Sequence, residues 1–189
     1  MRSSIWLLAV SLILVSVISI SGCINVSPTV VLNDTGATQE GVSAVVNANN
    51  QFAFDLYSKL MNNPANTEKN MFFSPYSIST ALAMTYEGAK GQTAEEIKNV
   101  FHFPETRTLR PNSARIYNEI NKEDKEYQLS TANALWAQKD YQFLDDYFTS
   151  VEKYYGGKVT NLDFKTDTEN SRVTINKWVK TRQMIESKI

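Results

Sequence analysis

The segment YQLSTANALWAQ, residues 127–138, constrains this chain more than any other. It is bracketed by charged turns and reads as a strand. Both of its alternating sides are apolar, with Leu129, Leu135 and Ala137 on one and Ala132, Ala134 and Trp136 on the other. A strand of that pattern needs cover on both faces, as a central strand has. Asn133 in its middle is then a buried amide that must find partners. Only one other substantial strand is legible, VTNLDF at 159–164, and a helical stretch separates the two. Two strands buried on both faces do not make a viable sheet, so the segment predicts an incomplete piece of a larger fold.

The remaining elements follow from periodicity. Val45, Ala48, Phe52, Leu56 and Leu60 recur at helical spacing and predict a helix over 45–61, ended by Asn62-Asn63-Pro64. Residues 71–73 read as a brief strand. Ser74 followed by Pro75 sets an N-cap before a proline at the first helical position. The helix that follows runs to Glu87 and is apolar nearly all round, which predicts burial, with Gly88 as its C-cap. Thr93 and Glu96 form a capping box for a third helix that stops before Phe103-Pro104. A fourth helix is predicted over about 113–121. Leu144, Phe148, Val151 and Tyr155 make a further stripe capped by Gly156, and a last helix starts at Asp167 or Thr168 with Ile175, Trp178 and Val179 on one face. The order is helix, short strand, three helices, strand, helix, strand, helix, a mixed α/β arrangement.

Composition narrows the function. Nineteen basic residues balance twenty acidic ones, so the chain lacks the basic face that a nucleic-acid partner demands. A single Cys and a single His cannot build a disulfide framework or a metal site of several side chains, and no cofactor is expected. Arg2 precedes the apolar run IWLLAVSLILVSVISI, which ends in Ser21-Gly22-Cys23. A positive start, a short apolar stretch and small residues before the break make residues 1–22 an export signal. Ile20-Ser21-Gly22-Cys23 resembles a lipoprotein signal, in which the cysteine becomes lipid-modified. That places the body of the protein outside the cytoplasm, anchored to the membrane through Cys23, with a retained helix as the alternative. Residues 23–44 are small, polar and aperiodic and read as a flexible linker, leaving 45–189 as the folded domain. Two N-x-S/T sequons, at Asn25 and Asn33, fall within the linker.

Several stretches in register resemble one family. N-x-F-F-S-P-x-S-I at 70–78 is similar to the strand and buried helix that open a serpin, and A-L-A-M-x-Y-x-G-A at 81–89 and the T-x-x-E-I box at 93–97 continue the match. Asn133-Ala134-Leu135-Trp136, the strand at 159–164 and Ile175-Asn176-Lys177-Trp178-Val179 complete it. The resemblance implies a multi-domain α+β fold, of which this chain holds the N-terminal helical half and the first strands of the main sheet. It implies an inhibitor of exported serine (or cysteine) proteases, not an enzyme. The protease cleaves an exposed loop and is acylated, and the loop then inserts into the main sheet and drags the enzyme with it. It also implies that Asn70, Ser74, Pro75 and Ser77 line the shutter where that sheet opens, with the amides of Asn133 and Asn176 in the same neighbourhood. No residue here matches the reactive-centre loop, so the chain is expected to be inactive as an inhibitor.

Rival readings are weaker. Ser74 or Ser77 with His102 would suggest a hydrolase, but no G-x-S-x-G elbow is present. Arg107, Arg110, Arg115 and Lys122 would suggest a polyanion site, yet Glu119 interrupts them and they read as a solvated face. The alternative with most weight is a surface lipoprotein acting as a binding or structural module. The family's last helix usually continues W-V-x-x-x-T-N-x-x-I, a pattern that fails after Arg182. Residues 183–189, back-translated and shifted by one base, spell Thr-Asn-Asp-Arg-Ile-Lys-Asn, so a frameshift is the expected origin of the ending, which the nucleotide sequence tests.

Overall fold

The computed structural model describes residues 30–183 except 67, 123–125, 127, 128 and 130. The export signal at 1–22, Cys23, the sequon at Asn25, residues 23–29 of the linker, the start of the 127–138 segment and the ending from 184 lie outside the described residues. The elements are α1 (Gln39–Met61), a 3₁₀ turn (Pro64–Asn66), α2 (Pro75–Gly88), α3 (Gly91–Phe101), α4 (Thr106–Ile120), β1 (Asn133–Gln138), α5 (Asp145–Tyr155), β2 (Gly157–Leu162) and α6 (Thr168–Gln183).

The described part of the expected linker is not flexible, because tertiary amides hold it. Leu32 is buried against Ala114, Tyr117 and Tyr154. Its N–H donates to Asn118 Oδ1 at 2.8 Å, and its carbonyl accepts from Asn118 Nδ2 at 3.0 Å. The Asn33 N–H donates to the Lys153 carbonyl at 3.0 Å. Helix α1 then starts at Gln39, six residues before the apolar stripe, with Thr38 as an N-cap that accepts from the Gly41 N–H at 2.9 Å. Residues 39–44 add a turn that no periodicity marks.

Helix α4 is also longer than its apolar pattern, since it runs through Pro111. A proline there removes one backbone donor and crowds the turn before it. Asn112 supplies a donor in that turn, from Nδ2 to the Thr108 carbonyl at 2.6 Å, and its Oδ1 accepts from the Thr38 N–H at 3.0 Å. Asn112 is 2 % exposed, so this amide links α4 to the cap of α1 in the interior. The two helices touch closely here: a Cβ built on Gly41 would lie 2.2 Å from Asn112 Nδ2.

Three smaller expectations are corrected. Residues 71–73 form no strand, and Phe72 is fully exposed. Helix α3 begins at Gly91, before the expected capping box, and Glu96 accepts from Gln92 Nε2 at 2.7 Å rather than closing a box with Thr93. Leu144 precedes α5 and is exposed, leaving Val151 and Tyr155 to carry that helix's burial. The core gathers Phe52, Met84, Phe101, Leu109, Val151 and Tyr155, with Phe52 and Phe101 centred 4.4 Å apart.

Strands β1 and β2 pair in parallel, Asn133 opposite Gly157 through Gln138 opposite Leu162, and α5 makes the crossover a parallel pair requires. Gly156 ends α5 in the left-handed conformation at φ 65°, which glycine adopts without penalty. Gly157 opens β2 directly over α2, where a Cβ would lie 2.6 Å from Met84 Sδ.

The clamp at Asn112 sets a test. Asn112→Ala should lower stability by about 2 kcal/mol in urea unfolding, the cost of stranding buried backbone partners. Gly41→Ala should be poorly tolerated alone and milder in the Asn112→Ala background, and strict additivity of the two would refute the contact.

Candidate functional site

Leu135 and Val159, opposite one another in the ladder, pack on the core that α2 and α5 supply through Met84 and Val151. On the other side of β1, Trp136 meets Trp178 of α6 edge-on, with ring centroids 5.7 Å apart and planes at 85°. The pair of strands is therefore packed on the core on one face and partly covered by α6 on the other, with Lys158 and Asn161 of β2 exposed. Its edges are a different matter. Among the described residues each strand has one partner, so each keeps a row of N–H and C=O groups outside the ladder. Nearby, the buried Trp178 Nε1 has no hydrogen-bond partner among the described residues. Gln138 lies on the same side of β1 as Trp136, the side that α6 covers.

Asp163 fixes where α6 starts. Its Oδ1 accepts from the Thr166 N–H at 2.9 Å, its Oδ2 from the Thr166 hydroxyl and from Lys139 Nζ at 2.8 Å, and its carbonyl from Ser171 Oγ at 3.0 Å. Lys139 first, then Thr166, hold the Asp163 carboxyl well below the usual carboxylate range.

At the start of α2, Ser74 Oγ accepts from the Ser77 N–H at 3.3 Å and from Ser77 Oγ at 3.0 Å, and Pro75 occupies the first helical position. Ser74, Pro75 and Ser77 thus share one turn, with both serines exposed. Asn70 lies exposed in the coil before it. Asn133, expected to be a buried amide, is half-buried, and its Nδ2 donates to the Tyr155 carbonyl at 3.4 Å. Asn176 is exposed on α6. Among the described residues no hydrogen bond joins Asn133 or Asn176 to the Ser74 turn.

His102 caps α3 in the left-handed conformation and its Nε2 lies 2.8 Å from Asp55 Oδ2, so it is not bonded to either serine. Of the cations once grouped as a solvated face, Arg115 meets Asp34 and Glu119, and Lys122 meets Glu119. Arg110 does something else. It donates through Nε and Nη2 to both carboxylate oxygens of Glu87, the shortest contact being 2.6 Å, and lies 5.8 Å from the centre of the Tyr154 ring. The Tyr155 hydroxyl donates to Glu87 Oε1 at 2.8 Å. Burial, then the Glu87 charge, push the Tyr155 hydroxyl well above its ordinary value, and the same carboxylate raises Arg110 through its hydrogen bonds. The Glu87 side chain is 1 % exposed. A carboxylate in the apolar surround of α2 was the legible signal, because such a group must meet a cation.

The serpin (serine protease inhibitor) family model matches residues 47–189. An uncharacterized serpin-like protein of Methanosarcina mazei is 44 % identical over 170 residues, covering 86 % of this chain and 40 % of the relative. Human leukocyte elastase inhibitor is 40 % identical over 134 residues, covering 70 % of this chain and 35 % of that protein. Emu ovalbumin superposes with a TM-score of 0.66 at 28 % identity, over 73 % of this chain and 39 % of the ovalbumin chain. The chain belongs to the serpin family, and it spans about two fifths of the length of the Methanosarcina relative.

Two outcomes follow from the site. Glu87→Gln should cost about 2 kcal/mol, since it leaves Arg110 facing an uncharged partner while Arg110 still reaches water, and an unchanged urea midpoint would refute the pairing. Because the folded Asp163 value is depressed, the stability it adds is complete above the unfolded value of about 3.9 and fades as pH falls through the folded one. Tryptophan fluorescence of the parent and Asp163→Asn should therefore differ at neutral pH and converge only well below about pH 4.

Proposed function

We propose that these residues form the N-terminal part of a serine-type protease inhibitor that traps its target by loop insertion. The observation that carries this reading is the parallel pair β1–β2, packed on the core, met by Trp178 of α6 on its other side, and open at its edges among the described residues. On this reading the open edges take up the further strands of the main sheet, and loop insertion into that completed sheet is an instance of strand addition. The inserting loop would come from residues beyond those given, since no segment among these 189 matches it. On this reading the shutter groups act as exchangeable partners. The hydroxyls of Ser74 and Ser77, the turn fixed by Pro75, and the amides of Asn70, Asn133 and Asn176 can trade hydrogen bonds as strands part. The Ser21-Gly22-Cys23 sequence supports export and a lipid anchor at Cys23, which puts the inhibitor outside the cytoplasm against exported serine or cysteine proteases.

The test is complex formation. Trypsin and subtilisin incubated with the 189-residue chain should keep full activity and give no SDS-stable adduct. A chimera that continues residue 182 with the remainder of the Methanosarcina mazei relative should give the adduct. An adduct from the short chain, or none from the chimera with any protease tried, would reject the proposal in favour of a binding or structural module.

A further inference from the structure

Helices α1, α2, α4 and α5 form a partly open pocket of about 270 Å³ that the inhibitor reading does not use. Val45, Ala83, Phe103, Leu109 and Ile116 make its walls largely apolar, Tyr76, Ser79, Thr80, Ser113 and Tyr154 add hydroxyl groups, and no charged side chain is among the described lining residues. Two phenols at its edge are already committed: Tyr155 donates to Glu87, and Tyr117 donates to the Thr131 carbonyl at 3.4 Å. Asn49 is different. It lines the same cavity, and its Oδ1 is buried without a hydrogen-bond partner among the described residues. A buried carbonyl oxygen with no donor is unfavourable, so a guest that brings an N–H gains twice, from its apolar surface and from that bond.

Size and polarity narrow the guest further. A dry apolar cavity of about 150 Å³ holds benzene, so this one has room for a fused bicyclic ring. The absence of charge in the lining favours a neutral molecule. Val46 lines the cavity while 41 % exposed, which places it at the rim. We propose that this cavity is a binding site for a small, neutral, planar aromatic compound carrying one N–H donor, with Asn49 Oδ1 as its acceptor. The site is independent of loop insertion, and its test does not involve a protease.

Indole and its isostere indene, which lacks the N–H, are the probes, titrated into the 189-residue chain and followed by saturation-transfer NMR. Indole should bind saturably, and indene about tenfold more weakly, the difference one hydrogen bond to a buried oxygen makes. Asn49→Leu should erase that preference while keeping indene binding, and Val46→Trp should block both. No saturable indole binding, equal binding of the two probes, or an indole preference that survives Asn49→Leu would each overturn the assignment. The indole–indene comparison needs no variant, so it stands even where a substitution disturbs folding.

Discussion

Leu135 and Trp136 are neighbours in β1 that must both leave water, and in an extended chain they point to opposite sides. The rest of the architecture answers that demand. Helices α2 and α5 supply Met84 and Val151 beneath Leu135, while α6 brings Trp178 over Trp136. The parallel pairing with β2 follows, because a helix between two paired strands returns the chain in the same direction. Even Gly157 is part of this answer, since only a residue without a side chain lets the start of β2 settle on Met84. The faces of the strand pair are thus packed on the core and against α6, while among the described residues each strand keeps one unpaired edge.

Around this sheet the helices are joined by side-chain amides as much as by oily contact. Asn112 ties α4 to the cap of α1, and Asn118 holds both backbone groups of Leu32. Asn121, at the end of α4, donates to the Tyr117 carbonyl and to Thr131 Oγ1 and accepts from the Thr131 N–H. Each amide takes up backbone groups of a neighbouring segment, so these contacts pair polar groups that packing removes from water. Glu87 does with charge what these do with amides, joining α2, α4 and α5 at one buried carboxylate.

What the residues foretold depends on how local the cause was. The stripes of α1 and α5 and the Ser74-Pro75 cap were legible because their determinants lie within a turn or two. The first turn of α1 was not, because Thr38 is fixed by an amide 74 residues away. The front half of α4 was hidden by Pro111, which in sequence reads as a helix breaker. For the site, two-sided cover of β1 was readable from alternation alone. The grouping of Asn133 and Asn176 with the serines rested on family resemblance, and among the described residues no hydrogen bond joins either amide to the Ser74 turn. The pairing of Glu87 with Arg110 was not legible, because 23 residues separate them and no local pattern joins them.

The segment from Leu32 to Thr38 is attached almost wholly by uncharged groups: the Asn118 amide, the Asn112 amide and the Lys153 carbonyl. Among the described residues the one ion pair added is Arg115 to Asp34, and it is exposed. Ionic strength acts on charges near water and leaves amide bonds largely untouched. Brine that slackens the surface pairs of this molecule would therefore leave the chain ahead of α1 fastened in place, and the fold would keep hold of whatever that chain is tied to.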